Sequence, residues 1–489
     1  MKLCLIGNGF RYELENLCRL FFPFERIDVV EGAPGEEDGF CAWAARTAGG
    51  DGVALTAGLR CSGFDERASE TLPSADDKTC ERRLAVLLFG LLCRAIGARP
   101  PWGILAGVRP GKLMRRLSED LGVEGAKAYF RDELLCREEK IDLCLASQAG
   151  EEAIIASSRP EQFSLYFSVP FCPTRCSYCS FVSHSIERSG KLIEPYVVRL
   201  CEELRATGEV AKRLGLKLAT AYMGGGTPTT LSADQLDRVF AAVAESFDLG
   251  EASEFTVEAG RPDTVTPERL AAIQRGGATR ISINPQSLND RVLETIGRRH
   301  TARQTLDAFA LARQAGFTNI NMDLIAGLPG DDPASFSRTL DGVLALDPES
   351  VTVHTLSLKR ASRMTVGGDR PAAEAGESAN RMLTEARQRL GQAGLAPYYL
   401  YRQSKTVGNL ENTGYAKPGF EGRYNVFIMD ETHSILACGA GAVTKLRAAD
   451  GFIERVFNFK YPYEYLSRFD EILARKAAIE AFYEKHPLL

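Results

Sequence analysis

The stretch Pro170-Phe-Cys172-Pro-Thr-Arg-Cys176-Ser-Tyr-Cys179-Ser-Phe181 places three of the chain's 13 cysteines within eight residues. Thiolates are soft ligands for iron and zinc, and closely spaced cysteines commonly hold iron–sulfur clusters. Zinc would want a fourth Cys or His, for which His184 is the local candidate. Three thiolates fit a cubane cluster that keeps one iron open to bind and activate a small molecule. We therefore predict a cluster at Cys172, Cys176 and Cys179.

The cysteine loop follows the first of six strand candidates that alternate with helical patterns. The strands are expected at 164–169, 218–223, 254–258, 280–284, 319–325 and 350–355. The helices between them are expected at 195–214, 233–246, 267–275, 302–315 and 333–346. This alternation predicts a parallel sheet with right-handed crossovers. The expected fold class is α/β, a partial (β/α)6 barrel with its chemistry at the carboxyl ends of the strands.

Two further regions flank the barrel. We predict a smaller α+β domain of unassigned role over residues 1–155, the barrel over 156–365, and a C-terminal β-containing extension over 366–489 that covers the barrel. In the first region a helix is expected over 81–96 and an exposed polar loop over 65–79. In the last region the expected strands are 398–401, 424–429 and 434–437, followed by a helical finish over 463–484.

Composition narrows the class of protein. The formal charge is −5 over 489 residues, which argues against a nucleic-acid partner because phosphate binding concentrates basic residues. No apolar run reaches the roughly 20 residues that a membrane span needs. The isolated cysteines are expected to be small buried side chains rather than a disulfide framework. We expect a cytoplasmic protein with no membrane partner.

Polar and glycine-rich motifs follow the later strands of the predicted barrel. Glycines allow a ligand to approach the backbone closely. Each motif alone could be an ordinary turn at a strand end. Together they are Gly224-Gly225-Gly226-Thr227, Glu258, Gln286, Arg298, and Asp323 with Gly327.

The cysteine loop resembles that of radical S-adenosylmethionine (SAM) enzymes, and the strand-end motifs follow in the order of that family. The resemblance implies a [4Fe–4S] cluster whose open iron takes the amino and carboxylate groups of SAM. It also implies that Arg298 pairs with the SAM carboxylate, a task suited to a bidentate guanidinium. Asp323 would hold the ribose hydroxyls, and the turn at Gly327 would flank the adenine.

The remaining cofactor contacts are implied by the same resemblance. The turn Gly224–Thr227 would contact the SAM amino group, and Glu258 would bind a ribose or amino group. Gln286 corresponds to a cofactor-contacting Gln, and Tyr166 would sit against the cofactor. One electron from the cluster would cleave SAM, and the resulting radical would take a substrate hydrogen.

A narrower resemblance comes from the flanks of the cysteine loop and from both ends of the chain. Tyr166-Phe-Ser-Val-Pro-Phe-Cys172 and Tyr178 are similar to the oxygen-independent coproporphyrinogen III oxidase family. Segments 101–112, 397–403, 409–419 and 424–431 resemble its HemZ-type coproporphyrinogen dehydrogenase subgroup. This implies a tetrapyrrole substrate whose propionates become vinyl groups, converting coproporphyrinogen III to protoporphyrinogen IX in heme biosynthesis. It also implies a reduced flavodoxin- or ferredoxin-type electron donor.

Some positions depart from the better-studied oxidases. Phe181 stands where they carry a fourth cysteine, and Ser168 replaces a histidine. Two alternatives therefore remain: a heme-binding or heme-trafficking protein, and a radical enzyme acting on another substrate. The conceivable heme ligands are His300, His354 and His433. The candidate cations for tetrapyrrole carboxylates are Arg175, Lys359, Arg360 and Arg402.

Overall fold

The computed structural model describes residues 1–23, 25–49, 52–179, 183–357, 372–403 and 405–488. These residues form two compact units. The first contains Met1–Leu145, a short segment that ends at Asn380, and Arg402–Glu411. The second contains most of the chain from Ala146 onwards. The predicted domain limits at residues 155 and 365 stay predictions.

A five-stranded mixed sheet forms the core of the first unit. Its strands are β1 (Lys2–Ile6), β2 (Asp28–Glu31), β3 (Cys41–Gly49), β4 (Gly52–Cys61) and β5 (Phe64–Leu72). They lie in the order β2-β1-β3-β4-β5, with β1 parallel to both of its neighbours and β3, β4 and β5 antiparallel. The helices of this half of the chain are α1 (Arg11–Phe21), α2 (Asp77–Ile96), α3 (Pro110–Ala128) and α4 (Glu138–Ala156).

Helix α2 contains the predicted helix 81–96 and has clear signals at both ends. Asp76 accepts a hydrogen bond from the backbone N–H of Thr79 at the amino end. Gly97 ends the helix in the left-handed region at φ 70°. The buried face of α2, including Leu84, Leu88 and Leu92, packs in the same core as the sheet.

The predicted exposed loop at 65–79 is wrong. Residues up to Leu72 belong to the edge strand β5, which pairs with β4 from Val53↔Leu72 to Cys61↔Phe64. Four of the nine side chains of β5 are charged, and all nine are at least partly exposed, because only one edge of this strand is paired. The polar composition therefore reflects a solvated edge strand rather than a loop.

The second unit contains an 11-stranded sheet and a short strand pair in the cysteine loop. The strands up to residue 355 are β6 (Gln162–Val169), β7 (Phe171–Cys172), β8 (His184–Ser185), β9 (Lys217–Gly225), β10 (Glu254–Glu258), β11 (Arg280–Ser282), β12 (Ile320–Ala326) and β13 (Ser350–Thr355). Six of them are parallel neighbours in the order β6-β9-β10-β11-β12-β13. The predicted order of parallel strands is confirmed.

Helices connect these strands. They are α5 (Ile186–Ser189), α6 (Ile193–Arg213), α7 (Ala233–Ser246), α8 (Pro267–Arg275), α9 (Asp290–Thr295), α10 (Ala302–Gln314) and α11 (Pro333–Ala345). The five predicted crossover helices are all present, within two residues at each end. Helix α9 was not predicted; it is a six-residue helix between Gln286 and Arg298 that begins at the N-cap Asn289.

The rest of the chain extends both edges of the sheet. Its helices and strands are α12 (Ala372–Gln392), β14 (Ala396–Arg402), β15 (Glu411–Ala416), α13 (Arg423–Asp430), β16 (Ser434–Cys438), β17 (Val443–Arg447), β18 (Ile453–Phe457), α14 (Pro462–Ser467), α15 (Phe469–Arg475) and α16 (Ala477–Lys485). Strand β15 pairs antiparallel with β13, and β16 pairs parallel with β6. The sheet runs open from β14 to β18, so the partial α/β barrel is confirmed.

The strand predicted at 424–429 is wrong. These residues form α13, which buries Tyr424, Val426 and Phe427. The aromatic and β-branched side chains favour a strand on propensity, but burial against the sheet decides the conformation. Within the described residues, no helix is both long and apolar enough to cross a bilayer.

Candidate active site

The cysteine loop leaves the carboxyl end of β6 and is held by contacts at several points. The backbone N–H of Ser177 donates to the carbonyl of Ile296 at 3.0 Å. The hydroxyl of Thr174 donates to the carbonyl of Gly297 at 3.2 Å. The loop is therefore fastened to the turn that follows α9.

The three predicted cluster ligands lie on this one loop. Cys176 is buried, and Cys172 and Cys179 are partly exposed. The Cys172 thiol accepts a hydrogen bond from the hydroxyl of Thr227 at 3.5 Å, and burial raises its pKa. Within the described parts of the chain, no three His, Cys, Asp or Glu side chains are already gathered as a metal site. The loop brings the thiols into one region without forming a finished coordination sphere.

The glycine turn after β9 lies directly against the start of the cysteine loop. The backbone N–H groups of Gly226 and Thr227 donate to the carbonyls of Val169 and Phe171 at 2.7 and 2.8 Å. A Cβ on Gly226 would lie 2.6 Å from the Phe171 carbonyl oxygen. Because real Cβ atoms do not approach oxygen that closely, this position requires glycine.

Two carboxylates lie at strand ends inside the barrel. Glu258 accepts a 2.6 Å hydrogen bond from Tyr222, and burial raises the pKa of Glu258 to about 7. Asp323 accepts a 2.7 Å hydrogen bond from the side-chain amide of Asn321. Burial pushes the pKa of Asp323 up, but its interactions with His354 and Asn321 outweigh that effect and hold the pKa below its ordinary value. The site therefore contains one carboxyl that resists ionisation and one that favours it.

Three tyrosines stack beside Glu258. The rings of Tyr222 and Tyr424 are 4.6 Å apart at 26°, and Tyr166 stacks on both at 6.2 and 6.3 Å. Tyr166 was predicted for the site. Tyr424 lies in the segment 424–431 that resembles the HemZ-type subgroup, and nothing in its sequence spacing indicates that α13 faces the barrel.

Gln286 and Arg298 each carry a buried polar atom that finds no hydrogen-bond partner in the described part of the chain. Gln286 follows β11 in the left-handed region at φ 68°, and its backbone bonds to Asp323 and Ile325. Its side-chain Oε1 is buried without a hydrogen-bond partner among the described residues. Arg298 donates to the Asn284 carbonyl at 2.6 Å, while its Nε also has no partner in the described part of the chain. Such atoms are expected where a ligand completes a site.

Arg298 also reaches the cysteine loop. Its Nη2 donates to the hydroxyl of Tyr178 at 3.2 Å, and Tyr178 lies between Cys176 and Cys179. The predicted cluster loop and the predicted carboxylate-binding arginine are therefore in direct contact. Gly327 ends β12 in the left-handed region at φ 82°.

Other predicted contacts are not part of this site. Arg402 is buried in the first unit, where it donates to the Leu105 carbonyl at 2.6 Å and lies 5.3 Å from the Trp102 ring. Its suggested role in binding a substrate carboxylate is wrong, because that guanidinium is already held by backbone carbonyls. Lys359, Arg360 and Phe181 lie outside the described residues.

One buried pair was missed by the sequence interpretation. Arg261, which follows β10, forms a two-pronged ion pair with Asp263 at 2.9 and 3.0 Å. Its Nη1 lies 3.8 Å from the Cys176 thiol. Arg261 and Asp263 follow Glu258 by three and five residues. Their position just after a strand end is the one sequence feature that could have marked them as part of the site.

Comparison with known proteins agrees with this geometry. Residues 166–342 match the family model of the radical SAM superfamily. The barrel and its cysteine loop define a radical SAM protein, a class that implies a [4Fe–4S] cluster and SAM. The chain is also 36% identical over 483 residues, 96% of each sequence, to the oxygen-independent coproporphyrinogen-III oxidase-like protein HemZ of Bacillus subtilis (strain 168). The chain belongs to this HemZ-like family.

Other relatives match a smaller share of the chain. The chain is 34% identical over 280 residues to the heme chaperone HemW of Lactococcus lactis, which covers 57% of this chain and 68% of HemW. Among solved structures, it is similar to the coproporphyrinogen III oxidase HemN from Escherichia coli, described as a radical SAM enzyme. That similarity has 22% identity and a TM-score of 0.49, over 66% of this chain and 73% of HemN.

The residues present fit the cofactors that the family implies. Three cysteines on one loop supply soft thiolate ligands for iron. Among the described residues, Oε1 of Gln286 and Nε of Arg298 have no partner, so they supply an acceptor and a donor for a polar ligand, and Arg298 lies beside that loop. Gly226 has no room for a side chain. The donor set and the unsatisfied atoms thus match a cluster with a bound SAM.

Proposed function

We propose that this chain binds a [4Fe–4S] cluster through Cys172, Cys176 and Cys179 and uses SAM for oxygen-independent conversion of coproporphyrinogen III. The observation that carries this proposal is the position of Arg298, which joins the cysteine loop through Tyr178 and keeps a buried Nε unpartnered among the described residues. A guanidinium in this position suits the carboxylate of a SAM molecule bound next to the cysteine loop.

The other strand-end residues would bind and orient SAM. When bound, the cluster supplies the electron for reductive cleavage of SAM, which yields the radical that removes hydrogen from the substrate. Asp323, whose pKa is lowered, stays ionised and suits the ribose hydroxyls. Glu258 suits the SAM amino group together with the glycine turn. Tyr166 and Tyr424 place an apolar stack beside this carboxyl, which keeps water away from it.

The proposed substrate is coproporphyrinogen III. Each of two propionates would give one hydrogen atom to the radical derived from SAM, and would then lose carbon dioxide and pass one electron to a one-electron acceptor, which leaves a vinyl group. The support is 36% identity, over 96% of each sequence, to a relative named as coproporphyrinogen-III oxidase-like. A reduced flavodoxin- or ferredoxin-type protein is the proposed electron donor. Arg175 is one of the predicted cations for the tetrapyrrole carboxylates. It is a described residue on the cysteine loop, next to Cys176, and is our candidate for binding a substrate carboxylate.

Heme binding is a second candidate, favoured by the similarity to heme chaperones. Burial lowers the pKa of His433 to about 3, and this side chain lies between Ser158 and Ser164. His300 is also buried, with a pKa lowered to about 3 mainly by burial. His354 is partly exposed beside Asp323, so it is the most accessible of the three predicted ligands.

One anaerobic assay separates the two candidates. The full chain, its Cys172→Ala variant and a Cys201→Ala control are reconstituted with iron and sulfide, reduced, and supplied with SAM and coproporphyrinogen III. Cys201 is a buried cysteine outside the loop. We expect mass spectrometry to show that the porphyrinogen loses two carboxyl groups with the wild type and with Cys201→Ala. With Cys172→Ala we expect no such loss. If SAM is cleaved while the porphyrinogen stays unchanged, coproporphyrinogen III is not the substrate. Heme binding is then the next measurement, monitored by absorbance in the wild type and in His354→Ala.

A further inference from the structure

Arg261 is almost fully buried, with a relative exposure of 3%, and every part of its guanidinium has a partner. Its Nε and Nη2 donate to the two carboxylate oxygens of Asp263 at 2.9 and 3.0 Å. Its Nη1 donates to the Thr174 hydroxyl at 3.1 Å and lies 3.8 Å from the Cys176 thiol. Both Thr174 and Cys176 belong to the cysteine loop.

The backbone of Arg261 is fixed independently of the cysteine loop. The N–H and the hydroxyl of Thr264 donate to the Arg261 carbonyl at 2.9 and 2.8 Å. The Thr264 hydroxyl is also 2.6 Å from that of Thr229, next to the glycine turn. The guanidinium therefore extends from a rigid turn towards the loop.

The ion pair is oriented. Asp263 occupies one edge of the guanidinium, and the opposite edge faces Cys176, so the positive end of the pair points at this sulfur. Within the described residues, Arg298 also lies beside Cys176. Burial lowers the pKa of Arg298, but Tyr178 and Cys176 outweigh that effect and raise it. His300 lies among Arg261, Arg298 and Asp263; burial and the two arginines lower its pKa to about 3, so it adds no charge near neutral pH.

We infer that Arg261 is a positioning residue that holds Cys176 in place and raises the reduction potential of the cluster, an inference that rests on the proposed cluster at these cysteines. Reduction adds one negative charge to a cluster with thiolate ligands. A fixed positive charge within 4 Å of one ligand stabilises the reduced state, and the effect is strong because the groups are buried. Asp263 holds the charge in place and offsets part of it.

The test is an EPR-monitored potentiometric titration of the anaerobically reconstituted full chain, without SAM. The variants are Arg261→Gln, Arg261→Lys and Asp263→Asn, with Arg280→Gln as the control. Arg280 is a guanidinium of matching burial, 1% exposed, that donates to Ser350 at the other end of the barrel. We expect Arg261→Gln to lower the equilibrium constant for reduction by about tenfold, which is about 59 mV for one electron. Arg261→Lys should show a smaller shift in the same direction.

The opposite sign is expected for Asp263→Asn, because it removes the counter-charge and leaves the guanidinium. If the pair had a purely structural role, the reduction potentials of Arg261→Gln and Asp263→Asn would shift in the same direction or not at all. If the wild type takes up no cluster, the proposed function fails. The inference fails, while the proposed function stands, if the wild type takes up a cluster and the reduction potential in Arg261→Gln equals that of the wild type. The same holds if that potential is no more negative than in Arg280→Gln. If Arg261→Gln does not retain a cluster, the test rests on the reduction potentials of Arg261→Lys and Asp263→Asn. A more negative reduction potential in Asp263→Asn than in the wild type would overturn the inference.

Discussion

Tyr222 donates a hydrogen bond of 2.6 Å to Glu258, and this pair lies against the stacked rings of Tyr166 and Tyr424. The contact joins strand β9 to strand β10 at their carboxyl ends. The hydrogen bond from Tyr222 lowers the pKa of Glu258, but burial outweighs it and the nearby charge of Asp323 adds to the rise. The barrel centre is thus prepared for a positive or hydrogen-donating ligand group.

Glu258→Gln should stabilise the cofactor-free chain at alkaline pH. The pKa of Glu258 is raised from its ordinary 4.5 to about 7, so the unfolded chain loses this proton more easily than the folded one. The resulting destabilisation is absent below pH 4.5, grows between pH 4.5 and about 7, and is nearly constant at higher pH. We expect the variant to gain about 1–3 kcal/mol at pH 8 relative to pH 5, in urea unfolding. Glu251→Gln, at an exposed position, is the control; an equal gain at both pH values would contradict the assignment.

Gly226→Ala should displace the cysteine loop. The added Cβ would lie 2.6 Å from the Phe171 carbonyl oxygen and 2.8 Å from that of Val169, and both are backbone atoms that cannot move aside easily. We expect a loss of about 1–3 kcal/mol in stability and reduced iron content after reconstitution. Gly391→Ala is the matched control, because its Cβ would meet nothing within 4 Å. Normal iron content in Gly226→Ala would argue that the turn does not support the loop.

Lys140→Met should strongly destabilise the first unit. Lys140 and Glu411 form a buried ion pair at 2.6 Å, each side chain 3% exposed, and Trp102 donates to the other carboxylate oxygen at 2.7 Å. Removing the lysine leaves a buried carboxylate without its cation, at a cost of about 3–5 kcal/mol in the free energy of unfolding. Lys127→Met, which breaks a largely exposed pair with Glu124, should cost under about 1 kcal/mol. Similar losses in the two variants would show that the buried pair is not needed.

His433 should make the chain sensitive to acid. Burial holds its pKa at about 3, against an ordinary value of 6.5, so the unfolded chain takes up a proton that the folded chain refuses. Stability from this group is complete above pH 6.5 and declines as the pH falls towards 3, by about 2 kcal/mol at pH 5. His433→Gln should flatten that decline in thermal or urea unfolding. His486→Gln, near the C-terminus, should not; equal slopes in wild type and His433→Gln would refute the prediction.

Much of the barrel could be predicted from sequence because its signals are local. Apolar strand runs alternate with amphipathic helices, and caps such as Ser232 and Thr301 mark where α7 and α10 begin. Strand-end residues such as Glu258 and Asp323 follow from the rule that parallel strands place their carboxyl ends together.

The errors arise where tertiary contacts decide. The charged residues of β5 look like a loop, but ion pairs such as Arg83–Glu70 support them on an edge strand. Tyr424 lies on a helix because that face packs on the barrel. Arg261 and Arg402 are both buried guanidiniums, and only the folded chain shows that one faces a cysteine and the other a set of carbonyls.

The most direct test of the central claim is EPR spectroscopy of the reduced, reconstituted chain with and without SAM. The account predicts about four irons per chain and a [4Fe–4S] signal that changes when SAM binds the open iron. The variant Cys172→Ala/Cys176→Ala/Cys179→Ala should show neither, while Cys201→Ala behaves as wild type. A wild type without iron, a signal that SAM leaves unchanged, or a cluster that survives in the triple variant would contradict the account.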